Sequence, residues 1–217
     1  MTSPNIIAVM PAYNEEKTIG DQIKSLIPHV AKIIVVDDRS DDATAEIALR
    51  AGAEVIRHAE NKGYDASLND GFALAASQGA DIIFTFDADG EHDAADIQKI
   101  VTPIIRGEAD IVAGQRPETR HWGEDIFAFV TRRRFGIPDP LCGFKAYRRS
   151  VYDSVGFFDS VRSIGTELMI RGIRRGFRLK LVPIALHSRI DGSSRFYALN
   201  LRGNLRMIRA MFKILSV

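Results

Sequence analysis

The sequence has a single cysteine, Cys142, among its 217 residues. One cysteine cannot form an internal disulfide, which is consistent with a reducing compartment and a cytoplasmic location. The longest apolar runs, such as residues 33–36 and 82–84, are far shorter than the roughly 18 residues that indicate a membrane span. Residues 1–20 lack a basic start followed by an apolar stretch, so we expect no secretory signal.

Two common phosphate-binding motifs are missing as well. No G-x-G-x-x-G follows the first apolar run, and no G-x-x-x-x-G-K-[ST] occurs anywhere in the sequence. These absences argue against a classical dinucleotide site and against a P-loop. Any anion binding must then depend on a metal ion and on basic side chains.

Basic residues are scarce in the first half of the chain, and acidic residues are scarce in the second half. Residues 1–114 hold 9 Lys and Arg against 20 Asp and Glu, and residues 115–217 hold 20 against 8, although the whole chain has a net charge of only +1. An acidic half suits a cation, and a basic half suits a diphosphate, a phospholipid surface or a nucleic acid. Salt bridging between the halves is the alternative interpretation.

What is present is an alternation of strand and helix signals, with 46% hydrophobic residues to build a core. Apolar runs separated by amphipathic segments predict βαβ units and a mainly parallel sheet flanked by helices, an α/β fold. The predicted strands cover residues 5–10, 32–36, 53–57, 81–86 and 109–114. The first predicted helix begins near Ile19, the second follows an N-cap at Ser40 or Asp41, and the third begins near Ala66.

Three acids follow the fourth predicted strand at alternate positions: Asp87, Asp89 and Glu91. Loops at the carboxyl ends of parallel strands meet at one edge of a sheet, so residues 87–91 should lie beside residues 11–15 and 37–38. Clustered carboxylates repel one another unless a cation joins them, and a hard divalent ion takes oxygen ligands. The stretch is therefore a candidate metal and diphosphate site, with a solvated acidic loop as the alternative.

Six segments in order resemble the motifs of family-2 glycosyltransferases. Residues 9–15, 34–44 and 87–92 are similar to the nucleotide-sugar-binding motifs of that family. Residues 112–116, 139–149 and 189–195, together with Glu167, are similar to the dolichyl-phosphate mannose synthase branch. The resemblance covers nearly the whole chain and implies a GT-A fold, the fold of nucleotide-diphospho-sugar transferases.

The resemblance also implies roles for individual residues. Asp89 and Glu91 would hold Mg²⁺ or Mn²⁺ across the diphosphate, with Asp89 a catalytic residue through that ion. Donor-binding residues would be Pro11, Tyr13, Glu15, Asp37, Asp38, Asp87, Arg189, Ser193 and Arg195, of which the last three belong to a loop that closes on the donor. Departures from the family pattern are Arg39 where relatives usually have Gly, Glu91 where they have Gln, and no Lys after Gly63.

The acceptor side depends on basic residues of the second half. Arg116 matches the Gly-x-Arg of the branch as a catalytic and acceptor-binding residue, joined by Arg132, Arg134 or their neighbour Arg133; a solvated helix face is the alternative for these three. Glu167 stands where many relatives carry a catalytic acid. Pairing of Glu167 with Arg171 or Arg174 at helical spacing is the alternative.

The expected organisation is one catalytic domain, residues 1–195, followed by a basic amphipathic C-terminal helix, residues 196–217. Residues 1–114 form the donor and metal half, and residues 115–195 form the acceptor half. In the tail, Leu205, Ile208 and Phe212 recur at helical spacing beside Arg206 and Arg209. The helix would lie on an anionic membrane surface, or else dock on the sheet or on a partner subunit.

The sequence thus predicts an enzyme, a metal-dependent, inverting glycosyltransferase. Its expected partners are a GDP- or UDP-sugar, a polyprenyl phosphate and a membrane surface that it contacts peripherally on the cytoplasmic side, with no nucleic acid. A family-2 enzyme acting on a hydroxyl of a glycan, glycolipid or protein is the first alternative. A phosphoacceptor receiver-like signalling domain is the second. The sequence does not choose between monomer and homodimer.

Overall fold

The computed structural model describes residues 3–117, 122–187 and 209–213, without the side chains of residues 122 and 123. Within these residues, strands from both halves of the chain form one seven-stranded sheet in the order β3-β2-β1-β4-β6-β5-β7. The strands are β1 (Ile6–Ala12), β2 (Lys32–Asp37), β3 (Glu54–Arg57), β4 (Ile82–Thr85), β5 (Ile111–Gln115), β6 (Lys145–Arg148) and β7 (Leu179–Pro183).

Helices cover both faces of the sheet. They are α1 (Ile19–Leu26), α2 (Thr44–Arg50), α3 (Tyr64–Ser77), α4 (Ile97–Ile105), α5 (Trp122–Phe135), α6 (Arg149–Val155) and α7 (Thr166–Arg174). The alternation of β1 shows the two layers: Ala8 and Met10 pack in the core under α1 and α4, while Ile7 and Val9 pack in the core under α3 and α7. The predicted α/β fold with a mainly parallel sheet is confirmed.

Two strands, β6 and β7, were not predicted from the sequence. β6 inserts between β4 and β5 and pairs antiparallel with both, so that Ala146 lies opposite Phe84 on one side and Val112 on the other. Its sequence gave a weak signal, because Lys145 is fully buried in a position where a charge is rarely found. The strand carries the second half of the chain into the centre of the sheet.

The predicted N-cap of α2 was wrong. The helix begins at Thr44, whose backbone N–H donates to Asp42 Oδ1 at 3.0 Å. Ser40 and Asp41 instead join the first two loops: Ser40 Oγ accepts from Asn14 N at 2.9 Å, and Asp41 N donates to Asn14 Oδ1 at 2.9 Å. Both candidate caps are thus used to connect β1 to β2.

Arg39 occupies a backbone position that favours glycine. Its φ is +68°, a left-handed conformation that side chains with a Cβ adopt at some cost. The Arg39 guanidinium contacts Asp41 Oδ1 at 2.6 Å, but both side chains are exposed, so this ion pair offsets little of the strain. The conformation explains why the family pattern has glycine at this place.

The C-terminal helix falls mostly outside the described residues. Residues 209–213 are helical, with Met211 packed in the core under α3 and α7 while Phe212 is exposed. This short segment therefore docks on the domain itself. Among the described residues, no helix is long and apolar enough to cross a membrane.

Candidate functional site

A cavity of about 340 Å³ opens at the carboxyl ends of β1, β2 and β4. Its lining includes eight of the residues predicted from the sequence: Pro11, Tyr13, Glu15, Asp38, Asp87, Asp89, Glu91 and Arg116. The expected convergence of the three early loops is confirmed. The second half of the chain closes the other side of the cavity with Glu124, Leu141, Gly143 and Ile164.

Asp38 positions the loop that follows β3. Its two carboxylate oxygens accept from Lys62 N at 2.8 Å and from Gly63 N at 2.7 Å. His58 Nδ1 also contacts Asp38 at 2.7 Å, while its Nε2 lies 3.0 Å from Asp70. The buried ring of His58 thus bridges two acids. The bonds fix Asn61 and Gly63 in the cavity wall.

Asp87 is held from two sides at the end of β4. Tyr64 Oη donates to Asp87 Oδ1 at 2.8 Å, and His92 Nε2 lies 3.1 Å from Asp87 Oδ2. Burial alone would lower the pKa of His92, but the hydrogen bond and the negative charges of Asp87 and Asp89 outweigh it and raise that pKa. His92 is thus a buried partner of the acidic loop.

The acidic loop turns sharply between its two outer carboxylates. Gly90 has a φ of +82°, and Glu91 N donates to Asp89 Oδ1 at 2.9 Å. Both carboxylates line the cavity. In the part of the chain that the structure describes, no three His, Cys, Asp or Glu side chains form a complete metal site. The oxygen donors of Asp89 and Glu91 nevertheless fit a hard divalent ion that takes its remaining ligands from a substrate.

Arg116 is fixed in place by two acids. Its Nε and Nη2 lie 3.0 and 2.8 Å from the two oxygens of Asp139, and Nη2 also lies 3.0 Å from Glu124 Oε2. Burial would lower the pKa of Arg116, but Asp139 outweighs burial and raises it. The guanidinium remains positively charged in the cavity wall, with its Nε and Nη2 taken up by Asp139 and Glu124.

Four predicted site residues lie outside the cavity lining. Asp37 is buried and pairs with Arg57 at 3.1 Å. Glu167 is buried, with Oε1 2.8 Å from Arg171 and Oε2 accepting from Ser160 N at 2.7 Å, which is the pairing that the sequence offered as its alternative. Arg132 and Arg134 are exposed on α5.

The other predicted donor residues, Arg189, Ser193 and Arg195, lie outside the described residues. The segment that leads toward them is placed beside the acidic loop. His187 N donates to Glu91 O at 2.9 Å, and Leu186 pairs with His92 in an isolated antiparallel bridge. The chain therefore enters the predicted closing loop at the edge of the cavity.

Residues that the sequence did not single out for the site include Tyr64, Gly143 and Ile164. Gly143 allows a close approach, since a methyl group on its Cα would lie 2.5 Å from Asp87 Oδ2 and 3.2 Å from Tyr64 Oη. The available signals were that Tyr64 follows Gly63 and that Gly143 lies within the family-like segment 139–149. Contacts between β4 and a segment some 60 residues later have no local signature.

A partly buried acid beside the cavity wall, Asp65, predicts a specific pH dependence. Burial, and then the charge of Asp159, raise the pKa of Asp65 to about 7, against the favourable charges of Lys145 and Arg162. Between pH 4 and 7 the native state then binds more protons at Asp65 than the unfolded chain does. We expect Asp65 to make the free energy of unfolding fall with rising pH across this window, by on the order of 3 kcal/mol.

Asp65→Asn tests this prediction. The amide oxygen still accepts from Ile164 N, which donates to Asp65 Oδ1 at 2.9 Å. Urea unfolding of both proteins from pH 4 to 8 should show the variant gaining stability over the wild type as the pH rises. A difference between the two proteins that is constant with pH would contradict the prediction.

Comparison with known proteins gives three findings. The model of the family described as glycosyl transferase family 2 matches residues 7–156. The UDP-N-acetylglucosamine–dolichyl-phosphate N-acetylglucosaminyltransferase of Methanococcus voltae is 33% identical over 180 residues, covering 69% of this chain and 72% of that protein. The dolichyl-phosphate hexose transferase of Haloferax volcanii is 29% identical over 201 residues, covering 87% and 85%.

Among solved structures, the chain is similar to glucosyl-3-phosphoglycerate synthase from Mycobacterium tuberculosis in complex with Mn²⁺, UDP-glucose and phosphoglyceric acid. The TM-score is 0.78 at 20% sequence identity, and the match covers 99% of this chain and 81% of that one. At this identity the likeness establishes the fold, which is the GT-A fold expected from the sequence.

Proposed function

This chain belongs to glycosyl transferase family 2, and we propose that it moves one sugar from a nucleotide diphosphate sugar to a polyprenyl phosphate with inversion at the anomeric carbon. The family assignment confirms the predicted enzyme class, a nucleotide-sugar-dependent transferase, and removes the receiver-domain alternative. The observation that carries the acceptor proposal is the position of Glu167 outside the cavity that holds the acidic loop and Arg116.

The donor occupies the first-half side of the cavity in this proposal. The nucleoside lies against Pro11, Tyr13 and Glu15, and Asp38 fixes the loop beside it. Carboxylate oxygens there accept from the N–H of a base and from ribose hydroxyls, and Asp87 is placed for the ribose. Asp37 supports the β2 loop through Arg57 rather than by contact with the donor.

Asp89 and Glu91 would hold Mg²⁺ or Mn²⁺ in this proposal. When bound, the cation stabilises the negative charge that develops on the leaving nucleoside diphosphate. The Mn²⁺ and UDP-glucose in the solved complex of the fold neighbour support this assignment. The predicted closing loop would supply further positive charge through Arg189 and Arg195.

An acceptor phosphate does not need a general base. A phosphate monoester oxygen is ionised at neutral pH, so it attacks the anomeric carbon while the bond from that carbon to the diphosphate oxygen breaks. Arg116 orients the acceptor phosphate, and positioning supplies much of the rate. The buried pairing of Glu167 with Arg171 supports this mechanism over one that removes a proton from a hydroxyl. A polyprenyl acceptor also implies peripheral contact with a membrane, to which the exposed Arg132 and Arg134 would contribute.

Glu167→Gln separates the two acceptor classes. If Glu167 has a structural role, transfer to polyprenyl phosphate should fall less than about tenfold, whereas loss of a general base costs roughly 10²–10⁴-fold. Radiolabelled product should be measured with polyprenyl phosphate and, in parallel, with 3-phosphoglycerate. Transfer to 3-phosphoglycerate alone, or a variant that loses all transfer while remaining folded by circular dichroism, would contradict the lipid-phosphate proposal.

A further inference from the structure

A strained segment, residues 162–165, leads into α7 and forms part of the cavity wall. Arg162, Ile164 and Gly165 have φ values of +64°, +56° and +68°. The left-handed conformation is a genuine outlier for Ile164, because its side chain branches at Cβ, and it strains the backbone. A protein keeps such strain only where the surrounding structure fixes it.

Three amide groups of the segment are held by two acids, the partly buried Asp65 and the buried Asp159. Ile164 N donates to Asp65 Oδ1 at 2.9 Å, and Gly165 N donates to Asp159 Oδ2 at 3.0 Å. Asp159 also accepts from Ser163 N at 3.1 Å. Burying carboxylates below a loop is costly unless their hydrogen bonds are well made, and here those bonds fix the backbone of the strained residues.

The two carbonyl groups are held by β6. Lys145 Nζ donates to Ile164 O at 2.6 Å, and Tyr147 Oη donates to Gly165 O at 3.1 Å. Lys145 and Tyr147 are two residues apart on β6 and therefore share a face of the strand. Their side chains can thus reach two successive carbonyl groups. Lys145 is fully buried, and burial lowers its pKa to about 8. Together with the acids, β6 fixes both peptide groups.

These hydrogen bonds hold the backbone of Ile164, and its side chain lies in the cavity wall, where Leu141 and Gly143 also lie. This part of the lining is apolar and offers no hydrogen bond from Ile164 or Leu141 to a sugar hydroxyl. A donor with its nucleoside at Tyr13 and Asp38 and its diphosphate at the acidic loop must direct its sugar toward the second-half wall, because the sugar is attached beyond the diphosphate.

We propose that Ile164 is a specificity-determining residue that limits the size of the sugar carried by the donor. The proposal rests on the nucleotide-sugar function proposed above and extends it to the transferred group. In this proposal the apolar Ile164 side chain narrows the cavity beside the sugar, so that a donor with a bulky N-acetyl substituent binds less well than a donor with an unsubstituted hexose. Lys145 is a positioning residue, since it does not line the cavity and acts through the carbonyl of Ile164.

Donor binding by Ile164→Ala tests the proposal. Dissociation constants are measured calorimetrically with Mn²⁺ for UDP, UDP-glucose and UDP-N-acetylglucosamine, or for GDP, GDP-mannose and GDP-N-acetylglucosamine if the wild type prefers guanine. We expect unchanged affinity for the free diphosphate and a shift of about tenfold in relative affinity toward the N-acetylated donor. A ratio within twofold of the wild-type ratio would overturn the specificity role, even if the wild type binds nucleotide sugars. A wild type that binds none overturns both proposals.

Three further variants separate specificity from stability. Ile170→Ala truncates another buried isoleucine, on α7 and outside the cavity lining, and should leave the ratio unchanged. Ile164→Val keeps the branched Cβ and should shift the ratio in the same direction by a smaller factor, which keeps the test available if the alanine variant unfolds. Lys145→Met should shift the ratio without changing affinity for the free diphosphate. An unchanged ratio in this folded variant would contradict the positioning role of Lys145.

Discussion

Asp89→Asn is expected to slow sugar transfer by about 10²–10³-fold, because it removes a negative charge from the proposed metal ligands while leaving the loop intact. The amide oxygen of Asn can still accept from Glu91 N, as Asp89 Oδ1 does at 2.9 Å. The loss should therefore be one of cation affinity and rate rather than of folding. It is measured as kcat/KM at increasing Mn²⁺ concentrations, together with the thermal midpoint.

Asp93→Asn is the matched control for Asp89→Asn. Asp93 lies four residues later, outside the cavity lining, where its Oδ1 accepts from Ala95 N at 2.9 Å. The same change of charge there should leave transfer within about twofold of the wild type. Equal losses in the two variants would mean that the total negative charge of this region, rather than metal ligation by Asp89, supports activity.

Gly143→Ala is expected to reduce transfer by about 100-fold with the fold retained. The new methyl group would lie 2.5 Å from Asp87 Oδ2, so the carboxylate must move away from its bonds with Tyr64 and His92. A misplacement of about 1 Å in a positioned group costs rates on this scale. The measurement is kcat/KM for transfer, with the affinity for the nucleoside diphosphate determined separately.

Gly172→Ala controls for the stability cost of adding a methyl group. Its Cβ would lie 2.7 Å from Ile111 Cδ1 and 2.9 Å from Val151 Cγ1, both ends of side chains in the core. The variant should lose stability, by about 1–3 kcal/mol, yet keep its turnover. If Gly143→Ala instead kept full activity, Asp87 would not need its present position for transfer.

The donor side of the site was predictable because its residues follow strands directly. Asp38 directly follows β2 and Asp87 lies two residues after the end of β4, and parallel strands bring their carboxyl ends to one edge of the sheet. The order of the apolar runs was therefore enough to bring residues 38 and 87 together. The resemblance to the family added roles that strand order alone does not supply.

The second-half wall was less predictable because it depends on long-range contacts. β6 inserts antiparallel between two strands that the βαβ pattern would place together, and its central Lys145 contradicts the expected burial pattern. The left-handed conformation of Ile164 has no sequence signal at all, since isoleucine is among the least suited residues for it. Glu167 is the opposite case. The family resemblance indicated a catalytic residue, but its side chain lies outside the cavity lining and contacts Arg171 and Ser160.

Calorimetric titration of a panel of UDP- and GDP-sugars, with Mn²⁺ and with EDTA in its place, tests the central claim most directly. The account predicts that one class of donor binds with Mn²⁺ and loses at least tenfold in affinity without it, and that Asp89→Ala abolishes this difference. A folded protein that binds no nucleotide sugar, or that binds one equally well in EDTA, would contradict the assignment of residues 87–91 as the metal and diphosphate site.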